Sequence, residues 1–184
     1  MAQANAINLY DKKNTAGKVD FICKNYSNFI GIVDSYTEGI RYLIEEEKAM
    51  AIRSSSGDLG VRVQKSGTSN PTATIAERNI TTREAILNCD FSGGVLEGVE
   101  NPERYIKDAH LLKKMREHYE LFNTQIKSLQ QSEQEFFIAY LLKKKKLADW
   151  AEEEGICYDS LIQRYNKTKK KLTILMVGFL EGTY

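Results

Sequence analysis

Gly155 stands between two runs whose apolar residues recur at helical spacing, so the chain must turn sharply at that point. Before it, Leu147 and Trp150 fall on one side of a short segment. After it, Leu161, Tyr165, Thr168 and Leu172 recur at steps of three and four, which marks the inward face of a longer helix. Glycine reaches φ > 0 without a Cβ clash, so Glu154-Gly155-Ile156 reads as a tight turn. Ala151, four residues earlier, is small enough to let two helices approach closely, and Ile156 and Leu161 are expected to close the small core. Glu154 takes a position more often filled by an apolar side chain, and its stem can carry the charge outward.

The stretch Lys145–Leu172 therefore has the layout of a helix-turn-helix, in which the second helix enters the major groove of DNA. The outward face of that helix carries Tyr158, Asp159, Ile162, Gln163 and Asn166, with Ser160 in the same first turn. Gln and Asn can read adenine through two hydrogen bonds, and Ile or Tyr can touch thymine methyls. Lys145, Lys146, Arg164, Lys167, Lys169, Lys170 and Lys171 are the expected phosphate contacts. The plainer alternative is a helical hairpin with a solvated charged face.

Charge supports the first reading. Residues 1–100 hold 11 basic and 13 acidic side chains, whereas residues 101–184 hold 15 and 12. Within Lys143–Leu172 there are nine basic and five acidic ones, on a chain whose net charge is only +1. A local basic patch on a near-neutral protein suits sequence-selective DNA binding better than indiscriminate coating.

Upstream, residues 1–17 lack periodicity and read as a loose start. Apolar residues from Val19 to Ile44 predict one long helix over about Lys18–Ala51, with Gly31 and Gly39 as the places where it would break. Its stripe needs a partner, either the chain's own core or a second copy. Residues 53–72 are rich in Gly, Ser, Thr and Asn and predict a long connection, whose Arg53, Arg62 and Lys65 are solvated or reach phosphate. Helices follow over about 72–88 and from Pro102 to about Lys127, the second capped by Asn101. Ser132 with Glu135 three residues on predicts a capping box. The chain thus divides into residues 1–52, an N-terminal helical region, residues 53–128, a loop and helical middle region, and residues 129–184, the helix-turn-helix domain.

The order from about Gln130 is helix, basic turn, helix, tight turn, helix. The Leu129-Gln-Gln-Ser-Glu-Gln-Glu-Phe-Phe segment, Tyr140-Leu141, Leu147-Ala-Asp-Trp-Ala and Gly155-Ile156 resemble the DNA-binding region 4 of bacterial sigma factors. More widely, Gly60-Val-Arg-Val-Gln, Ser69-Asn-Pro-Thr, the Ala85-Ile86 run, Met115-Arg116 and Gly155-Ile-Cys-Tyr-Asp-Ser are similar to phage late-gene transcriptional regulators of the RinA/ArpU type. That resemblance implies activation of phage gene clusters by promoter binding, with no cofactor. Where Cys157 stands, Ser or Thr is more usual, which weakens the cap of the second helix. The expected fold class is all-α, a long N-terminal helix and helical middle region followed by a sigma region-4-like helix-turn-helix.

Three functions compete. The first is a sequence-specific transcriptional regulator bound to double-stranded DNA, as a homodimer because one such helix reads only a short site. The second is a sigma-like protein that grips RNA polymerase or another partner. The third is a phage DNA-packaging subunit of the small terminase kind. An enzyme is not expected: His110 and His118 stand eight apart, about 80° around a helix, and share no metal readily. The carboxylates of Glu45–Glu47 and Glu152–Glu154 run consecutively and read as solvated faces. Cys23, Cys89 and Cys157 are odd in number and widely spaced, which indicates neither a disulfide framework nor a metal site and suits a cytoplasmic protein. No leader is evident, and the apolar run Leu172–Leu180 falls short of the ~20 residues of a membrane span.

Overall fold

The computed structural model describes residues 4–55 and 71–183. Among them every regular element is helical: α1 (Ala4–Asp11), α2 (Thr15–Asn25), a 3-10 turn (Tyr26–Asn28), α3 (Phe29–Ser55), α4 (Pro71–Asn88), α5 (Pro102–Lys127), α6 (Gln131–Leu141), α7 (Leu147–Glu154) and α8 (Tyr158–Glu181). No described helix is long and apolar enough to cross a membrane. The connection at residues 56–70, with Arg62 and Lys65, lies outside the described residues. Contacts divide the chain into two compact units, one of residues 1–30 with 116–184, the other of residues 31–115. The segment limits read from composition cut across these units, since 52/53 falls inside α3.

In the first unit, α8 packs on α2, α6 and α7, and α1 packs on α2. Val19, Ile22, Leu161, Leu172 and Met176 are fully buried there, with Thr168 beside them. From Ala4 onward the N-terminal segment is not loose but helical. Tyr10 on α1 has no exposed surface; its ring meets Phe21 edge-on at 5.3 Å and Phe29 at 6.1 Å, and its hydroxyl bonds His118 Nδ1 at 2.8 Å. Among the described side chains of α1, Ile7 and Tyr10 are the buried ones, too few for a visible period. Asn14 then caps α2, its Oδ1 accepting from the Gly17 amide at 2.8 Å.

The long N-terminal helix breaks at Tyr26–Asn28, not at Gly31 or Gly39, both of which lie inside α3. Tyr26 is held by α5. Its hydroxyl donates to Asn123 Oδ1 at 2.7 Å, and its carbonyl accepts from the Tyr119 hydroxyl at 3.2 Å. A carbonyl and a side chain committed 93 and 97 residues away override local helix continuity. Just before the break, Asn25 Nδ2 donates to the Phe21 carbonyl at 2.8 Å.

In the second unit, Val33, Ile40 and Ile44 of α3 are buried, as are Ala85 and Ile86 of α4 and Tyr105, Ala109 and Leu112 of α5. The consecutive carboxylates of α3 are not a solvated face. Glu45 accepts from the Thr82 hydroxyl at 2.5 Å and pairs with Arg78 at 2.5 Å. Glu47 accepts from the Tyr105 hydroxyl at 2.5 Å and the Glu100 amide at 3.2 Å. Because the three carboxylates fan around the helix, two of them reach different neighbours.

Candidate nucleic-acid interface

Three chain reversals share one hydrogen-bond pattern. At the end of α7, Gly155 has φ 63°; the Ile156 amide donates to the Ala151 carbonyl at 3.0 Å and the Gly155 amide to Glu152 at 3.3 Å. This crossed pair satisfies two carbonyls that the helix leaves open. The end of α6 repeats it with Lys143 at φ 52°, where Lys144 donates to Ala139 and Lys143 to Tyr140, both at 3.1 Å. Cys89, at φ 55°, does the same after α4, and Gly182 ends α8 in the left-handed region. A helix of eight residues, a left-handed glycine and a helix of 24 residues thus follow one another, with Cys157 as the extended residue before α8. Cys157 supplies no side-chain cap.

The inward residues of α8 are buried as their spacing requires, Leu161 and Thr168 among them, and Tyr165 is half-buried. Tyr165 packs on Phe137 at 5.3 Å and Tyr140 at 4.1 Å between centroids. Two expectations fail. Ile156 does not close the core; it remains 37% exposed, because the left-handed glycine turns the chain outward there. The capping box at Ser132 does not form, because α6 starts at Gln131 and Ser132 is already inside it.

The outward face of α8 is polar. Asp159, Ser160, Gln163, Asn166, Lys167 and Lys170 are exposed. Tyr158 is also exposed, and Ile162 is half-buried. Successive residues turn by about 100°, which places Asn166, Asp159, Lys170, Gln163 and Lys167 within about 100° of arc.

The basic residues separate into two groups. Arg164 is built into the fold: its guanidinium lies over the Phe136 ring at 4.4 Å, donates to the Ser132 carbonyl at 3.1 Å and pairs with Glu154 at 3.4 Å. Lys171 pairs with Glu133 at 2.9 Å, Lys169 with Asp20 at 2.5 Å, and Lys145 with Glu153. Lys146 (the residue before α7), Lys167 and Lys170 make no ion pair among the described residues. The paired group would have to exchange a carboxylate for a phosphate, whereas the unpaired group is available as it stands.

On the side of α8 turned away from Gln163 is a cleft of about 620 Å³, lined by Asp20, Cys23 and Lys24 of α2, by Tyr140 and Leu141, by Lys143, Lys145, Lys146 and Leu147, and by Tyr165 and Lys169 of α8. Burial pushes the Cys23 thiol up to about 12, partly offset by the Lys169 ammonium and a hydrogen bond with Tyr165. Burial likewise raises the Tyr165 phenol above its ordinary value. The sequence shows Lys143 as part of a run, but Lys24 lies more than 100 residues away and carries no local sign of belonging there. No protein family, curated protein or solved structure matches the chain.

Proposed function

We propose that this chain is a sequence-specific DNA-binding transcriptional regulator, of the phage type that its sequence resembles, reading promoter DNA with the first half of α8. One observation carries the reading: α8 follows a glycine-ended short helix and presents Asp159, Gln163, Asn166, Lys167 and Lys170 on a single exposed face. Gln163 and Asn166 supply paired donors and acceptors for base edges, and the lysines beside them supply phosphate contacts. The other half of α8 holds the unit together through Leu172 and Met176. The protein acts in the cytoplasm as a homodimer and needs no cofactor.

The test separates base reading from backbone binding. Gln163→Ala with Asn166→Ala relaxes sequence choice while retaining nonspecific affinity. Unchanged site preference in that variant contradicts the assigned face. Lys167→Ala weakens binding to all sequences and reduces the salt slope by about one.

A second reading, attachment to RNA polymerase or another protein, draws on Ile174 and Leu175, which are 62% and 39% exposed on the later turns of α8. An apolar contact of that kind keeps its affinity as salt rises, whereas phosphate contacts lose theirs steeply. The packaging-subunit reading requires a ring, so molar mass in solution separates it.

A further inference from the structure

The geometry points to the cleft between α2, the α6–α7 connection and α8 as a binding site for phosphate groups. Five ammonium-bearing side chains line it, from three separate stretches of chain: Lys24, then Lys143, Lys145 and Lys146, then Lys169. The lining contains one carboxylate, Asp20, and that is committed to Lys169. Lys145 has its partner in Glu153, outside the lining. Lys24, Lys143 and Lys146 have no ion-pair partner among the described residues.

Like charges around one cleft repel, and the repulsion is larger beside apolar walls such as Leu141, Leu147 and the tilted ring pair of Tyr140 and Tyr165. A polyanion removes that repulsion. The start of α7 adds to the attraction. Lys146 precedes its first turn and supplies no acceptor to the open amides, which a phosphate oxygen can satisfy. The volume suits a small phosphorylated ligand or a few backbone phosphates, not a flat surface contact.

Phosphate groups have two sources here, a soluble oligophosphate or nucleotide and the backbone of DNA. The site shares Lys145, Lys146 and Lys169 with the proposed DNA contacts but extends to Lys24 and Lys143, on the opposite side of α8 from Gln163. Its test does not require DNA, so it can fail or stand apart from the base-reading proposal.

The probe is tripolyphosphate titrated calorimetrically into the full-length protein at low ionic strength. The expected result is saturable binding that Lys24→Gln with Lys143→Gln weakens at least tenfold. Lys113→Gln with Lys114→Gln, two exposed lysines of α5 outside the cleft, removes the same charge and leaves affinity within about twofold. No saturable binding, or equal weakening by both pairs, overturns the site. A short random duplex then identifies the source: displacement of bound tripolyphosphate assigns the cleft to DNA backbone, and simultaneous binding assigns it to a soluble phosphate compound.

Discussion

The guanidinium of Arg164 lies 4.4 Å from the centre of the Phe136 ring and ties α8 to α6, while its pairing with Glu154 ties α8 to α7. A residue that sequence alone places among phosphate contacts thus sets the orientation of the helix that would read DNA. Arg164→Ala is expected to cost about 1–2 kcal/mol of stability, from the lost cation–π contact and charged hydrogen bonds. Lys167→Ala, exposed and unpaired among the described residues, is expected to leave the melting temperature unchanged. Thermal melts of the two variants check the contrast; equal melting temperatures would place Arg164 on the surface.

Lys143 and Gly155 occupy the same left-handed position in the same turn, with φ 52° and 63°. Only the glycine does so without strain. A Cβ at Gly155 would meet nothing within 4 Å, so the cost of Gly155→Ala is purely conformational, about 1 kcal/mol. Lys143→Gly is expected to act in the opposite direction, stabilising by up to about 1 kcal/mol. Urea denaturation of both variants tests the pair, and a loss of stability in Lys143→Gly would refute the assigned backbone.

The buried Tyr10 makes α1 part of the core. Tyr10→Ala is expected to cost about 3–5 kcal/mol. Tyr10→Phe, which removes only the hydroxyl bonded to His118, should cost about 1 kcal/mol. If Tyr10→Ala unfolds at the wild-type urea midpoint, α1 is not docked.

Alkali should expose the same phenols. Desolvation by burial raises Tyr10 above its ordinary 10.0 and pushes Tyr26 up to about 12. A group whose folded value exceeds its unfolded value contributes stability that is complete below the unfolded value and is lost as pH rises through the folded one. Stability is therefore expected to hold to about pH 10 and fall between pH 10 and 12. Tyr10→Phe should show a shallower fall. An identical pH profile in that variant would assign the loss to other groups.

The three thiols should react in order of access. Cys157, exposed just before α8, is expected to alkylate rapidly at pH 8, and Cys23, buried with its thiol pushed up to about 12, to resist until unfolding. A bound specific duplex should protect Cys157. Mass spectrometry of alkylated peptides follows both sites, and an unprotected Cys157 in the bound state argues against contact at the start of α8.

What could be read beforehand was local. Pro102 starts α5 and Lys127 ends it, Pro71 starts α4, and Gly155 ends α7, because proline geometry, glycine geometry and apolar period act within a few residues. What escaped depends on distant partners. The break at Tyr26 is set by Asn123 and Tyr119, the docking of α1 by Phe29 and His118, and the structural role of Arg164 by Ser132 and Phe136. None of these has a local sequence signal. The site divides the same way: the outward face of α8 follows from helical period, but Lys24 joins the cleft only through the packing of α2 on α8.

Selection of bound duplexes from a random pool, with full-length protein at moderate salt, tests base reading by α8 most directly. A regulator that uses Gln163 and Asn166 enriches a defined motif, palindromic if the protein is a dimer, and loses that enrichment in the Gln163→Ala, Asn166→Ala variant. Recovery of an unenriched pool by the wild-type protein would contradict sequence-specific recognition and shift the function to a protein partner.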